Sequence, residues 1–263
     1  MHAKPQYIDA FTQSFSLNPR TTALIPIDIQ YASGSRTLGM GAYLAKQGAL
    51  EQASYRFNRI DTLVVPNTLK LLTAFRAMGA HVIHVTVGSE RADFSDSPRH
   101  VRAFFEMCNN TAGSREHEIV DELKPLPGET VINKTTMGAF ASCNLEQVLH
   151  QRGIKEIVFT GISTNNCVDT TAREAADRNF CSVLVADATG TCSDEMQELT
   201  LASFKRLWGR VMSTEEVIAE MQESAAGDIL SKLEQTSERL LDVDARQLPY
   251  PAALTAAAKR HEQ

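Results

Sequence analysis

Apolar residues along the chain form six short runs that alternate with segments of helical periodicity. Short apolar runs bounded by glycine, proline or polar residues are typical of strands buried in a parallel sheet. The six predicted strands are residues 22–29, 80–87, 130–133, 155–162, 181–187 and 209–213. Helices are predicted at residues 65–79, in part of 99–124, and at 143–152, 165–179 and 193–208. This alternation predicts an α/β fold with a six-stranded, mostly parallel sheet between two helical layers, a Rossmann-like three-layer arrangement with right-handed crossovers.

Two segments depart from the regular alternation. Pro26 lies inside the first predicted strand, and proline is unfavourable in a central strand because it lacks the N–H group that the ladder needs. Residues 31–60 contain glycines at positions 34, 39, 41 and 48 among mixed polar and aromatic residues. We expect this segment to be a long connection, of the kind that often forms a lid or a binding loop.

The C-terminal part of the chain has a different pattern. Ser213 and Glu216 match a capping box, so a helix is predicted to begin there. Beyond residue 224 an apolar stripe predicts one amphipathic helix, formed by Ile229, Leu230, Leu233, Leu240 and Leu241. We therefore divide the chain into a main domain at residues 1–224 and a C-terminal helical tail at residues 225–263. The tail is expected to pack on the chain's own surface, with a subunit contact as the alternative.

Composition and charge exclude several classes of function. The formal net charge is −6 and the pI is near 5.7, so a surface for nucleic acid or anionic membrane is not expected. The first twenty residues contain no apolar segment of the secretory type, and no stretch approaches the about 18 apolar residues of a membrane span. The five cysteines form no C-x-x-C motif and no dense disulfide framework. These features predict a protein of the reducing cytoplasm, where a cysteine is either a buried apolar residue or a reactive thiol.

Three chemically reactive side chains fall at the carboxyl ends of predicted strands. Asp28 lies at the end of the first strand, Lys134 follows the strand at 130–133, and Cys167 opens the helix after the strand at 155–162. Taken singly, each has an ordinary structural explanation, since a lone cysteine is more often a small buried apolar residue than a nucleophile. Ligands of parallel α/β sheets bind at the carboxyl ends of the strands, however. The convergence of the three residues on one sheet edge therefore predicts an active site.

Together these residue types can carry out acyl transfer. A helix N-terminus and a neighbouring lysine lower the pKa of a thiol, and both are predicted beside Cys167. Asp28 can accept the thiol proton and return it to a leaving amine, as a general base and then a general acid. Backbone N–H groups in the turn before the helix can bind the negative charge of a tetrahedral intermediate. The combination needs neither a metal nor another cofactor.

Three segments resemble the isochorismatase-like cysteine hydrolases: LIPIDIQ, INKTTMGAFASCNL and VFTGISTNNCVDTTAREAADRNF. The resemblance extends from about Thr21 to the segment VMSTEEVI and so covers most of the chain. It implies that Asp28, Lys134 and Cys167 form the family's catalytic triad. It also implies a cis peptide between Ile162 and Ser163, with an oxyanion hole formed by the N–H groups of Ser163 and Cys167.

Departures from the family pattern reduce the number of reactions that are expected for this chain. Residues 55–66 contain no histidine, so the metal site of the nicotinamidase branch is not expected, and no metal or cofactor is predicted. Isochorismatases that cleave a vinyl ether usually lack the cysteine, so its presence favours cleavage of a C–N bond. The run from Cys167 to Arg178 most resembles hydrolases of ureides such as biuret, N-carbamoylsarcosine and ureidoacrylate. The expected substrate is therefore a small amide or ureide, cleaved through a thioester with release of ammonia or an amine.

Several assignments stay open at this point. Gln30, Phe140 and Asn166 are candidate substrate-binding residues, although Phe140 also suits the core. Arg56 and Arg59 could bind a substrate carboxylate or could simply be solvated, and Cys143 is a rival nucleophile at a second helix start. A vinyl-ether hydrolase and a non-catalytic binding protein on the same fold are the alternative functions. By resemblance, a homodimer or homotetramer is expected, without a nucleic-acid or membrane partner.

Overall fold

A computed structural model describes residues 11–247, with side chains described as far as residue 230. Its sheet has six strands, all paired in parallel, in the order β3-β2-β1-β4-β5-β6. The strands are β1 (Thr22–Ile27), β2 (His81–Val87), β3 (Thr130–Lys134), β4 (Glu156–Ile162), β5 (Cys181–Gly190) and β6 (Gly209–Met212). The predicted fold class is confirmed, and each predicted strand is present with its bounds moved by a few residues.

Helices connect the strands. They are α1 (Tyr31–Gly34), α2 (Gly39–Lys46), α3 (Ser54–Arg59), α4 (Val65–Ala77), α5 (Arg99–Cys108), α6 (Leu145–Gln151), α7 (Asp169–Ala176), α8 (Asp194–Lys205) and α9 (Thr214–Gln247). Two π-helical turns, Ile60–Val64 and Thr164–Val168, lead directly into α4 and α7. Short 3₁₀ turns occupy Leu50–Ala53 and Asp121–Leu123. In the part of the chain that is described, no helix combines the length and the apolar character that crossing a membrane requires.

The core has two layers, one on each face of the sheet. Alternate residues of β1 point to opposite faces, so Leu24 packs in one layer and Ala23 and Ile25 in the other. The first layer includes residues of α4 and the beginning of α9, and the second includes residues of α6, α7 and α8. Because strands covered on both faces must be apolar throughout, they appear in the sequence as continuous apolar runs.

Pro26 is accommodated in a central strand by a local lapse in pairing. On the β4 side Pro26 lies opposite Thr160 in an unbroken register. On the β2 side the pairing passes from Leu24–Val82 directly to Ile27–Val85. Ile25 and Pro26 therefore have no paired residue in β2, as is understandable for a proline, which offers no N–H to a neighbouring strand.

The segment 31–60, expected to be a long connection, is largely helical. Its glycines serve close packing: a Cβ at Gly39 would lie 2.3 Å from the carbonyl oxygen of Ala32, and one at Gly41 would lie 2.3 Å from that of Ser35. Glycines that permit such backbone approach look, in a sequence, like the glycines of a flexible loop. The segment therefore connects β1 to α4 through short helices that pack closely on one another.

The predicted capping box at the start of α9 is present. Glu216 Oε2 accepts a hydrogen bond from Ser213 N at 2.7 Å, and Glu216 N donates to Ser213 Oγ at 3.2 Å. Contacts divide the chain into Met1–Gln222 and Glu223–Gln263, whereas α9 runs without a break past residue 224. Ile229 and Leu230 are exposed. The predicted packing of Leu233, Leu240 and Leu241 lies outside the described side chains.

Candidate active site

Asp28 directly follows β1 and takes a left-handed backbone conformation, with φ of 55°. Its N–H donates to Val85 O at 2.9 Å, which ties the turn to β2. On the other side of β1, Gly161 lets β4 approach, since a Cβ there would lie 1.9 Å from Ile27 O. The Asp28 side chain is 2% exposed. The close packing of three strands thus holds a carboxylate below the surface at the carboxyl end of the sheet.

Lys134 is the last residue of β3 and reaches across β2 to Asp28. Its ammonium Nζ donates to Asp28 Oδ2 at 2.9 Å and to Thr136 O at 2.9 Å. The side chain is fully buried. A buried ion pair is stable only when its remaining hydrogen-bonding capacity is largely satisfied, and the Thr136 carbonyl supplies part of that. This pair places a fixed positive charge beside the Asp28 carboxylate.

Cys167 lies in the π-helical turn Thr164–Val168 that follows β4, the neighbour of β1. The peptide between Ile162 and Ser163 that leads into this turn is cis, as expected from the resemblance. The thiol is 6% exposed, and its Sγ lies 3.7 Å from Met137 Sδ. Three strand ends therefore bring Asp28, Lys134 and Cys167 together, as the sequence predicted.

The electrostatics of the three groups are dominated by burial. Burial raises the pKa of the Asp28 carboxyl above its ordinary value, against the opposing effect of Lys134. Burial acts to lower the pKa of Lys134, but the negative charges of Asp28 and Cys167 outweigh it and the pKa is raised. Burial and the charge of Asp28 raise the pKa of the Cys167 thiol to about 12, although Lys134 acts in the opposite direction. The expectation of a lowered thiol pKa is thus wrong, because the carboxylate and burial outweigh the cation.

One carboxylate oxygen of Asp28 accepts a hydrogen bond from the described part of the chain and the other does not. Oδ2 accepts from Lys134, whereas Oδ1 is buried and has no hydrogen-bond partner among the described residues. Leaving a buried carboxylate oxygen unpaired is costly and is commonly seen at functional sites. Oδ1 is therefore available to accept a proton at this site, and the charge of Asp28 acts on the Cys167 thiol.

The backbone N–H groups on either side of Cys167 are both hydrogen-bonded to one carbonyl oxygen. Asn166 N and Val168 N both donate to Ser163 O, at 3.0 and 3.3 Å. The N–H group of Ser163 donates to no backbone carbonyl outside helices and strands among the described residues, and the N–H group of Cys167 belongs to the π-helical turn. These are the two groups that the resemblance assigns to an oxyanion hole.

A cavity of about 510 Å³ opens at Asp28 and Cys167, and Lys134 lies buried behind Asp28. Cavities of roughly 300–1,000 Å³ are usual for small-molecule sites. One part of the wall is polar and includes Asp28, Arg56, Ser163 and Asn166. Further polar lining comes from Ser33, His100, Asn165 and Thr191. The apolar part of the wall includes Met40, Val87, Val101, Phe104, Phe105, Met137 and Ile162.

Residues 42–216, more than half of the chain, match the isochorismatase domain family. The chain belongs to this family. The ureidoacrylate amidohydrolase RutB of Variovorax paradoxus (strain S110) is 32% identical over 192 residues, covering 70% of this chain and 75% of the relative. RutB of Rhizobium rhizogenes (strain K84) is 28% identical over 233 residues, covering 83% and 90%. The prediction of an isochorismatase-family hydrolase is confirmed.

A solved cysteine hydrolase from Pseudomonas syringae pv. phaseolicola 1448A has the same fold. It superimposes with a TM-score of 0.67 at 23% identity, over 81% of this chain and 98% of the other. The described residues of this isochorismatase-family chain contain no group of three or more His, Cys, Asp or Glu side chains arranged to hold a metal ion.

Two of the three candidate substrate-binding residues lie away from the cavity. Gln30 is fully buried, and its amide is bound to the backbone of Val87 and His117. Phe140 packs on the ring of Phe180, with the centroids 6.1 Å apart. Only Asn166 lines the cavity. Gln30 and Phe140 therefore support the walls of the site rather than face its interior. Each is near Asp28 or Lys134 in sequence, but backbone or core contacts hold its side chain away from the cavity.

Arg56 lines the cavity, whereas Arg59, one helical turn further on, does not. The Arg59 guanidinium donates to the carbonyl oxygens of Ala186 and Thr189 at 2.8 and 2.9 Å. Nothing in the local sequence distinguishes the two arginines. Their different roles follow from helical phase, since residues three apart on a helix differ in direction by about 60°.

Cys143 is held away from the reacting groups. Its Sγ donates to Ala139 O at 2.8 Å, and the residue precedes α6 instead of lying within it. Burial raises the pKa of its thiol. The rival nucleophile donates its hydrogen bond to a backbone carbonyl and, unlike Cys167, does not line the cavity.

Proposed function

We propose that this chain hydrolyses the C–N bond of a small amide or ureide through a thioester on Cys167. The observation that carries the proposal is the arrangement of Asp28 next to the Cys167 thiol, on which its charge acts. Asp28 Oδ2 accepts a hydrogen bond from Lys134, and the buried Oδ1 has no hydrogen-bond partner among the described residues. The names of the RutB relatives support the same bond type, since both are ureidoacrylate amidohydrolases.

The first half of the reaction forms the thioester. Asp28 takes the proton of the Cys167 thiol as the sulfur attacks the substrate carbonyl, because a thiol with so high a pKa is not ionised in the resting site. The N–H groups of Ser163 and Cys167 bind the resulting oxyanion. Asp28 then gives its proton to the nitrogen, the C–N bond breaks, and ammonia or an amine leaves.

The second half restores the enzyme. Water attacks the thioester carbonyl while Asp28 accepts a proton from it, and the same two N–H groups bind the second oxyanion. The C–S bond breaks, the sulfur takes the proton back from Asp28, and the acid product leaves. Lys134 keeps Asp28 oriented throughout through the 2.9 Å contact.

A raised pKa for Asp28 suits this double role. A carboxyl group whose pKa lies above its ordinary range returns a proton to a leaving nitrogen more readily than an ordinary aspartic acid does. Burial supplies this shift. Neither the vinyl-ether alternative nor a binding protein has a use for a carboxylate directed at a buried thiol.

Replacement of Cys167 tests the proposal directly. Ammonia release from biuret, ureido acids, carbamoylated amines and half-amides is measured for the wild type and for the Cys167→Ala and Cys143→Ala variants. Cys167→Ala is expected to lower turnover by about 10⁴-fold or more, while circular dichroism shows an unchanged fold. Cys143→Ala is the matched control and is expected to keep its activity. Retained turnover in Cys167→Ala overturns the proposal.

Direct evidence for the thioester comes from acid-quenched protein. Intact-mass measurement during turnover is expected to show the acyl group added to Cys167, and hydroxylamine is expected to release it as a hydroxamate. A homodimer or homotetramer in the cytoplasm, acting on a small molecule, stays a prediction that sedimentation and fractionation can check.

A further inference from the structure

Arg56 presents an unsatisfied positive charge to the active-site cavity. Its Nε donates to Ser33 O at 3.2 Å and its Nη1 to Ser163 Oγ at 2.7 Å. A guanidinium carries five N–H donors, and among the described residues nothing accepts from Nη2. The side chain is half-buried, and burial lowers its pKa from the ordinary value.

Two other partly buried arginines of this chain hold a carboxylate, whereas Arg59 donates to carbonyl oxygens. Arg76 pairs with Glu129 at 2.8 Å, and Arg210 pairs with Glu220 at 2.7 Å. Within the described residues no such ion pair is formed by Arg56. A cation removed from water without a counter-charge is costly, so a site that retains one commonly binds an anion.

We propose that Arg56 binds a carboxylate of the substrate, so that the enzyme acts on anionic amides or ureides in preference to neutral ones. This inference rests on the proposed function and names its substrate class. Two adjacent N–H groups of a guanidinium match the two oxygens of a carboxylate, which makes arginine well suited to this role.

The position of Arg56 also limits the length of the substrate. Its Nη1 contacts the side chain of Ser163, the residue whose N–H group we assign to the oxyanion hole. The carboxylate and the scissile carbonyl are therefore bound by neighbouring groups. Only a few bonds can separate them, which selects short half-amides and short ureido acids.

The rest of the cavity suits an uncharged carbon skeleton. Val101 and Phe104 from α5 and Met137 beside Cys167 form an apolar wall. Among the described residues that line the cavity, Arg56 is the one lysine or arginine, and His100 lies in the same lining. A guanidinium stays protonated in proteins, so Arg56 is the permanent cation of the cavity and the residue to remove in a test.

Matched pairs of substrates isolate the charge. Succinamate is compared with succinamide, and 3-ureidopropionate with its carboxamide, by ammonia release from the wild type and from Arg56→Gln, Arg56→Lys and Arg36→Gln. Arg36 belongs to the same segment, pairs with Asp61 at the surface and does not line the cavity. Arg36→Gln therefore controls for the loss of one positive charge.

The measured quantity is the ratio of kcat/KM for the anionic member to that for the neutral member. The wild type is expected to prefer the anion, and Arg56→Gln is expected to lower the ratio by roughly 10- to 100-fold, mainly through KM. Arg56→Lys should retain part of the preference, and Arg36→Gln should retain all of it. If Arg56→Gln slows both members equally, Arg56 only supports Ser163 and the inference is wrong.

The two proposals fail in different ways. If the wild type turns over neither member of any pair, the proposed function is in error, and binding still tests the inference about Arg56. Calorimetry with the Cys167→Ala protein then measures the affinity for 3-ureidopropionate and for its carboxamide, with and without Arg56→Gln. Equal affinities for the two compounds refute the role of Arg56, and a preference lost with Arg56→Gln supports it.

Discussion

Replacing Asp28 with asparagine is expected to make Cys167 easier to alkylate while it abolishes turnover. The negative charge of Asp28 and burial together raise the pKa of the thiol. Asparagine has the same shape without the charge, and it tolerates the left-handed backbone of position 28. Asp28→Asn therefore removes one of the two causes of the raised pKa and leaves the other in place.

The size of the effect follows from the burial of both groups. Asp28 is 2% exposed and Cys167 is 6% exposed, so solvent screens their interaction weakly. Removing a neighbouring like charge typically lowers a pKa by about one to three units, which multiplies the thiolate fraction by about 10 to 1,000. Nucleophilicity falls with a Brønsted coefficient of about 0.5, so the alkylation rate is expected to rise by about 3- to 30-fold.

The assay is iodoacetamide labelling at neutral pH, with the modified peptides quantified by mass spectrometry. Cys108 is an internal control, since burial raises the pKa of its thiol to about 12 without a contribution from Asp28. The exposed Cys192 is a second reference for the reagent. The labelling rates of Cys108 and Cys192 should be the same in both proteins. Slower labelling of Cys167 in Asp28→Asn than in the wild type would refute the conclusion that the charge of Asp28 raises the pKa of this thiol.

Two further predictions concern stability. Burial acts to raise the pKa of Glu129, but hydrogen bonds and the charge of Arg76 outweigh it and lower the pKa from 4.5 to about 2. The resulting stabilisation is complete above pH 4.5 and is lost as the pH falls towards 2. In urea unfolding, the difference in the free energy of unfolding between the wild type and Glu129→Gln should therefore shrink by about 2–3 kcal/mol across that range. A difference that stays constant with pH contradicts the reasoning. Gly161→Ala would place a Cβ 1.9 Å from Ile27 O at a φ of 115° and is expected to cost more than about 3 kcal/mol or to prevent folding. The matched Gly153→Ala, at a φ of 67° with open space around it, should cost only about 1 kcal/mol, and equal losses in the two variants would contradict the steric explanation.

The sheet and the meeting of Asp28, Lys134 and Cys167 at its edge were predictable because both leave strong local signals. Strands covered on two faces are apolar throughout, and the carboxyl ends of parallel strands share one edge. Asp28, Lys134 and Cys167 therefore had to be neighbours once the strands were placed. Pro26 argued against a central strand, yet it lies in β1, where pairing is interrupted on the β2 side and continuous on the β4 side.

Other features depended on contacts that a single sequence does not reveal. The direction of the Cys167 pKa shift is set by burial and by Asp28, and a helix N-terminus beside a lysine suggested the opposite. Gln30 and Phe140 are close to the triad in sequence, but their partners, Val87 and Phe180, come from distant parts of the chain. Arg56 and Arg59 are distinguished only by the phase of the helix that carries them.

The origin of the cavity wall has a consequence for how this enzyme can be altered. Asp28 and Cys167 lie at strand ends whose close packing leaves no freedom, whereas much of the remaining wall comes from connecting segments. Met40 belongs to the segment between β1 and α4, and Phe104 belongs to α5. Substitutions in these connecting segments would alter the molecules that the enzyme accepts while the side chains at the strand ends stay in place. Selectivity and reactivity can therefore be engineered separately in this molecule.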